Sequence, residues 1–150
     1  MSAAPVISCK NVWKIFGADP EGYLKRMPAR HSYDAIRADG YIAGVKDVSI
    51  EVNKGEMLVV MGLSGSGKST LVRCFSRLHD ITGGTIEVAG QDIMQLSEKE
   101  LIELRRNKMG MVFQSFGLLP HRTVLDNVAF PLEMRGQEKH ARRARALEVI

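Results

Sequence analysis

An α/β fold with an antiparallel β subdomain is predicted by three observations. Two short stretches, Glu56–Met61 and Met109–Phe113, are apolar almost throughout, as in parallel strands covered on both faces. Two others, Asp47–Val52 and Thr82–Gly90, alternate apolar and polar residues, as in strands with one wet face. Between them a glycine- and serine-rich turn joins the first apolar stretch to a helical pattern, the strand–turn–helix order of an α/β unit.

Each element follows from local chemistry. Val6–Phe16 mixes apolar and polar residues with partial alternation and reads as one strand or a strand pair, ended by Gly17. Residues 18–43 hold Pro20, Gly22, Pro28 and Gly40 and read as an insertion or long surface loop, with a short helix around Tyr33–Arg37. Order returns at Val45, and Asn53-Lys54-Gly55 forms a turn before the apolar strand. A helix is expected from about Lys68 to Leu78, with Cys74 as a small core residue. Thr82–Gly90 should place Ile86 and Val88 on one face. Ser97 and Glu100 have the spacing of a capping box and open a helix through about Asn107. Met109–Phe113 is read as a short buried strand ending at Gln114. Thr123 caps a helix over Val124–Met134, which Gly136 stops. The last stretch, Ala141–Ile150, reads as an amphipathic helix with Ala141, Ala144, Leu147 and Ile150 on one face. Nothing in it ends a helix, so the expectation is that 1–150 is the N-terminal part of one domain that continues further, incomplete at the C-terminus.

Composition narrows the functional classes. The 150 residues are about one domain's worth, and 45% hydrophobic with 25% charged residues is ordinary for a globular chain and argues against disorder. No apolar run approaches the ~18 residues of a membrane helix. A net charge of +4 with Lys and Arg scattered among acids gives no nucleic-acid footprint. The basic run Lys139–Arg145 is read as a solvated helix face. Two cysteines, Cys9 and Cys74, make no disulfide framework and fit a reducing compartment. The N-terminus shows no secretory signal.

The turn carries the chemistry. Gly62-Leu63-Ser64-Gly65-Ser66-Gly67-Lys68-Ser69-Thr70 satisfies the P-loop pattern between a predicted strand and a predicted helix. A polyphosphate is a dense anion, and binding it needs many donors in a small volume. Gly65 and Gly67 allow successive backbone N–H groups to turn inward as an anion nest. The following helix adds free N–H groups and roughly half an elementary charge of positive dipole. Lys68 is assigned to the β- and γ-phosphates, Ser69 to Mg²⁺, and Ser64, Ser66 and Thr70 are further donors.

With these landmarks, the chain resembles the ATP-binding subunits of ABC transporters. Met61–Thr70 is one point of likeness. The stretch Met111–Val128, containing Gln114 and Leu118-Leu119-Pro120, resembles that family's Q-loop segment and is the more specific of the two. Lys14-Ile15-Phe16-Gly17 resembles the place of its adenine-stacking aromatic, with Trp13 at a less suitable offset. The insertion at 18–43, followed by Gly44–Val48, resembles the ATPases of bacterial importers for glycine betaine, proline betaine or choline.

The resemblance implies a cofactor set of ATP and Mg²⁺. Phe16 stacks on adenine, residues 62–70 hold the phosphates, and Gln114 reaches the metal and the attacking water. It further implies a transmembrane permease, a second ATPase subunit arranged head to tail, and indirectly a periplasmic or surface substrate-binding protein. The place is the cytoplasmic face of the inner membrane, peripheral to it, with no nucleic acid involved. Phe116, Leu118 and Leu119 form an uncharged loop where the family receives a coupling helix. None of His31, His79, His121 and His140 has the setting of the family's switch histidine. The family's acidic Mg²⁺ and water-polarising residues and its LSGGQ-like signature do not occur before Ile150, so the stretch alone is expected not to hydrolyse ATP.

Rival readings are a truncated, non-hydrolytic ATP-binding module, an ABC ATPase for another cargo such as an amino acid, and another P-loop enzyme, a kinase or GTPase. The apolar strands also raise an expectation about folding. Unpaired buried backbone groups cost about 1–3 kcal/mol each against a total stability of about 5–15 kcal/mol. By itself the 1–150 stretch should therefore fold loosely.

Overall fold

The structure, a computed structural model, describes residues 4–27, 32–114 and 117–150. The chain divides into two compact units, Met1–Ser97 and Glu98–Ile150.

The first unit opens with strand β1 (Ile7–Phe16), followed by helices α1 (Pro20–Arg26) and α2 (Tyr33–Ala38) and strand β2 (Ile42–Val52). Helix α3 (Lys68–Phe75) and strands β3 (Gly83–Val88) and β4 (Gln91–Asp92) complete it. The four strands form one antiparallel sheet in the order β2-β1-β3-β4. Central β1 buries Cys9, Val12 and Ile15, a spacing of three rather than two. The step from Cys9 to Val12 comes from a bulge at Asn11, whose φ of 48° lies in the left-handed region that Asn tolerates better than most residues. Its side-chain amide donates to Asp47 Oδ1 at 3.0 Å, and its backbone N–H donates to Ser49 Oγ at 2.9 Å. Ile86 and Val88 of β3 are both buried, as their alternation requires.

The insertion is not a surface loop. Asp19 caps α1 by accepting from the Gly22 N–H at 3.0 Å, with Pro20 opening the first turn. Ser32 caps α2 by accepting from the Ala35 N–H at 3.1 Å. The two helices close a small core of Ile15, Tyr23 and Ile36, with Trp13, Leu24, Met27, Tyr41 and Ala43 packed around it. The Tyr23 and Tyr41 rings stack at 4.1 Å, and the Tyr23 hydroxyl donates to Asp39 at 2.7 Å.

Two expected strands are not strands here. Residues 56–61 and 109–113 belong to no sheet among the described residues. Met57 is 88% exposed, Met61 85% and Val112 99%, the opposite of the burial expected. Their composition suits strands flanked on both sides, and the sheet of the first unit supplies no such flank. Helix α3 also ends earlier than predicted, because Arg77 turns left-handed (φ 50°) and Leu78 bonds back to the Arg73 carbonyl.

The second unit contains α4 (Glu98–Lys108), α5 (Val124–Met134) and α6 (Lys139–Leu147). Helix α4 begins directly after Ser97 and buries Leu101 and Leu104. Thr123 caps α5 by accepting from the Asp126 N–H at 3.1 Å, and Gly136 follows it with φ +75°. The last helix starts at Lys139 and ends at Leu147, not spanning 141–150. Glu138 caps it through the His140 and Ala141 N–H groups. Its buried residue is Ala146, whereas Leu147 and Ile150 are exposed, so the predicted apolar face is displaced. The basic run is only partly solvated. Arg142 pairs with Glu133, which Arg122 grips as well, and Arg143 pairs with Asp126. The hydrogen bond from Arg122 is the main cause holding the Glu133 carboxyl below its ordinary value.

Candidate functional site

The glycine-rich turn leads straight into α3. Gly65 and Gly67 adopt φ of +78° and +89°, the left-handed region that favours glycine. Gly67 is the N-cap of α3 and offers no side-chain cap. The first N–H groups of α3 therefore have neither an intrahelical acceptor nor a cap side chain, the arrangement that favours anions. A Cβ at Gly67 would stand 2.0 Å from the Gly44 carbonyl oxygen, so strand β2 lies directly against the turn.

Lys68 folds back over this turn. Its ammonium donates to the carbonyl oxygens of Gly62 at 2.8 Å and Leu63 at 2.6 Å, with Ser66 Oγ at 3.4 Å. The charge thus sits over the turn rather than away from it. A phosphate oxygen carries negative charge where the two carbonyls are neutral, so Coulombic attraction favours it over them for these donors. The Ser66 N–H already bonds the Leu63 carbonyl at 3.2 Å, which leaves Ser66 its hydroxyl. Leu63 and Ser64 lie at the exposed rim, and Ser69 presents an exposed hydroxyl one residue into α3. No group of three His, Cys, Asp or Glu that would hold a metal exists among the described residues. One hydroxyl beside a phosphate cradle nevertheless fits Mg²⁺, a cation bound mostly through substrate phosphates and water.

Phe16 sits beside the same turn. A Cβ at Gly44 would stand 2.8 Å from Phe16 Cε2 and 3.0 Å from Thr70 Cγ2. One glycine therefore separates the aromatic ring from the first turn of α3. Gly44 is the extra residue where the β1–β2 register shifts between Lys14–Val45 and Ile15–Ala43. The Phe16 ring meets His79 edge to face at 5.7 Å, and Lys14 Nζ lies 4.9 Å from its centroid. The ring is 36% exposed, so part of it is open to a ligand. Trp13 packs instead on the insertion core, which leaves Phe16 as the aromatic facing the turn. The end of β1 is latched by Thr82, whose Oγ1 accepts from the Ile15 N–H at 2.9 Å and donates to the Ile15 carbonyl at 3.3 Å.

The first unit thus brings together Phe16, Gly67, Lys68 and Thr70. Gln114 belongs to the second unit, exposed at the end of segment 109–113. The loop after it is held by Asn127, whose carboxamide accepts from the Leu119 N–H at 2.7 Å and donates to the carbonyls of Leu119, Arg122 and Thr123. Leu118 is 74% exposed and Leu119 half-buried, while Phe116 and His31 lie outside the described residues. Cys74, within α3, is fully buried, and burial pushes its thiol up to about 11.

The contacts that Gly44, His79 and Thr82 make around Phe16 are not visible in the sequence. Each acts through a partner distant along the chain, and only a strand register could have pointed to them.

The family model described as ABC transporter matches residues 45–150. The trimethylamine N-oxide transport system ATP-binding protein TmoW of Ruegeria pomeroyi is 80% identical over 147 residues, covering 98% of this chain and 43% of its own length. The glycine betaine/proline betaine transport system ATP-binding protein ProV of Escherichia coli is 46% identical over 145 residues, covering 96% of this chain and 36% of its own. Both relatives are more than twice as long as this chain. A dimeric post-hydrolysis structure of an ATP-binding cassette bound to ADP and Pi matches with a TM-score of 0.74 at 32% identity, covering 95% of this chain and 54% of that one.

Proposed function

This chain belongs to the ABC transporter family, and from that premise we propose that it is the front part of an ATPase subunit powering import of a small methylated amine. One observation carries the proposal. A lysine ammonium and an uncapped helix N-terminus converge on one turn, and an aromatic ring stands one glycine away.

Each residue has a task. Phe16 takes the adenine by stacking, which tolerates different aromatics and contributes about 1–3 kcal/mol. The backbone from Gly62 to Gly67, together with the α3 N–H groups, cradles the phosphates. Lys68 exchanges its two carbonyl acceptors for β- and γ-phosphate oxygens and offsets charge on the transferred phosphoryl group. Ser69 and Gln114 are the groups to hold Mg²⁺, and Gln114 orients the attacking water. Mg²⁺, when held there, would supply neutralisation of charge on the transferred phosphoryl group.

The acidic residues of the metal shell and the LSGGQ-like segment are assigned to the remainder of the protein. That remainder also provides strands to flank residues 56–61 and 109–113. Two such subunits, head to tail beneath a permease at the cytoplasmic face of the membrane, complete each site. No described helix is long and apolar enough to cross a membrane. For the cargo, the relative at 80% identity favours trimethylamine N-oxide over the betaines of the relative at 46%. All share a nitrogen bearing methyl groups beside a negatively charged oxygen.

The test is ATPase activity of the full-length protein with its permease in vesicles. Trimethylamine N-oxide, supplied with its binding protein, should stimulate turnover more than glycine betaine, and Lys68→Ala should abolish turnover. Near-normal turnover in Lys68→Ala would sink the catalytic role. Stimulation by an amino acid alone would sink the cargo.

A further inference from the structure

We infer that Tyr41, at the end of the insertion, is a positioning residue for the Phe16 ring and so for nucleotide base recognition. The inference rests on the reading of Phe16 as the adenine platform. Phe16 is followed by Gly17, a residue whose backbone freedom would let the end of β1 swivel. Tyr41 removes that freedom. Its ring lies where a Gly17 side chain would be, with Cδ1 2.1 Å and Cε1 2.5 Å from the position of a Cβ.

Tyr41 is itself held by the insertion. Its ring stacks on Tyr23 at 4.1 Å with 17° between planes, its N–H donates to the Ile36 carbonyl at 3.0 Å, and Tyr23 is tied to Asp39 at 2.7 Å. The next residue, Ile42, pairs with Phe16 itself. The chain of contact therefore runs from α1 through two stacked tyrosines to the joint beside Phe16. The Phe16 ring itself faces Gly44 and the first turn of α3. The insertion fixes where the base lies relative to the phosphate turn, and β2, which follows it, meets that turn at Gly44.

The experiment compares ATP with inorganic tripolyphosphate, which has the phosphates without the base, as ligands of the full-length protein. Tyr41→Ala should weaken ATP by roughly fivefold or more, the lower end of what stacking on an aromatic contributes, and leave tripolyphosphate unchanged. Tyr41→Leu, which keeps apolar bulk and guards against misfolding of the smaller variant, should do the same. Tyr41→Phe should bind ATP normally. Phe16→Ala separates the two levels of the inference. If Phe16→Ala retains the preference for ATP over tripolyphosphate, the platform reading fails and the positioning role with it. If Phe16→Ala loses that preference and both Tyr41→Ala and Tyr41→Leu retain it, only the positioning role is overturned. Equal weakening of both ligands by the Tyr41 variants also overturns it, since that is the mark of a merely structural residue.

Discussion

Gly44→Ala probes the spacing between ring and phosphate turn most sharply. The new methyl would stand 2.8 Å from Phe16 Cε2 and 3.0 Å from Thr70 Cγ2, where carbon atoms pack comfortably at about 3.5–4.0 Å. Something must move by roughly 0.5–1 Å. Thr70 is β-branched and inside a helix, so its side chain is stiff. Phe16 is 36% exposed and has room to swing. Holding the ring off its rotamer costs about 0.5–1.5 kcal/mol. Replacing glycine regains about 0.4–1 kcal/mol through the unfolded chain. Net stability should therefore change by less than about 1 kcal/mol. Loss of stacking should weaken ATP by about 5- to 150-fold, with tripolyphosphate affinity kept. The assay is competition binding to the full-length variant beside its thermal melt. An unchanged preference for ATP would refute the reasoning, as would equal loss of both ligands.

Gly67→Ala should behave differently, because its methyl meets a backbone oxygen at 2.0 Å and its φ is +89°; binding of ATP and tripolyphosphate should fall together, and selective loss of ATP would contradict the assignment of the turn. The insertion core should loosen at high pH. Burial, then the hydrogen bond to Asp39, pushes the Tyr23 phenol from 10.0 up to about 12. The folded chain keeps this proton where the unfolded chain loses it, so the contribution is full below about pH 10 and lost between about pH 10 and 12. The melting temperature of the full-length protein should fall more steeply over that window than that of Tyr23→Phe, and parallel curves would count against it. The 1–150 chain by itself exposes Met57, Val59, Met61, Val112 and Phe113, so it should bind an apolar dye and melt broadly; a sharp cooperative melt would show those segments to be paired.

Much of the site was legible because its chemistry is local. A turn that must place residues 65 and 67 at positive φ requires glycine there, and a helix dipole aimed at an anion requires the helix to start at once. Both are visible as a spacing, and α3 begins at Lys68 as read. Strands β1 and β3 and most of β2 were legible from their patterns, two-residue β4 was not, and neither was the burial spacing within β1. There the bulge at Asn11 shifts burial to Cys9, Val12 and Ile15, and a bulge leaves only a broken alternation in the sequence.

Segments 56–61 and 109–113 show a different limit. An apolar run records the neighbours a strand is suited to, not whether those neighbours are present. The insertion showed α2 in the sequence but hid α1 and its core, because α1 is seven residues long, too short for a clear period, and the core closes through Tyr23, Ile36 and Tyr41. In α6 the arginines decided the register. Arg142 and Arg143 turn toward the carboxylates of α5, and that pairing displaces the face that alanine and leucine spacing predicted.

The central claim is that the turn from Gly62 to Thr70 grips polyphosphate. The most direct measurement is a crystal structure of the full-length protein with Mg²⁺ and a non-hydrolysable ATP analogue. The account predicts the phosphates within that turn and the adenine against Phe16. Lys68 Nζ should have left the Gly62 and Leu63 carbonyls for phosphate oxygens. An analogue bound elsewhere, with Lys68 still on those two carbonyls, would contradict it.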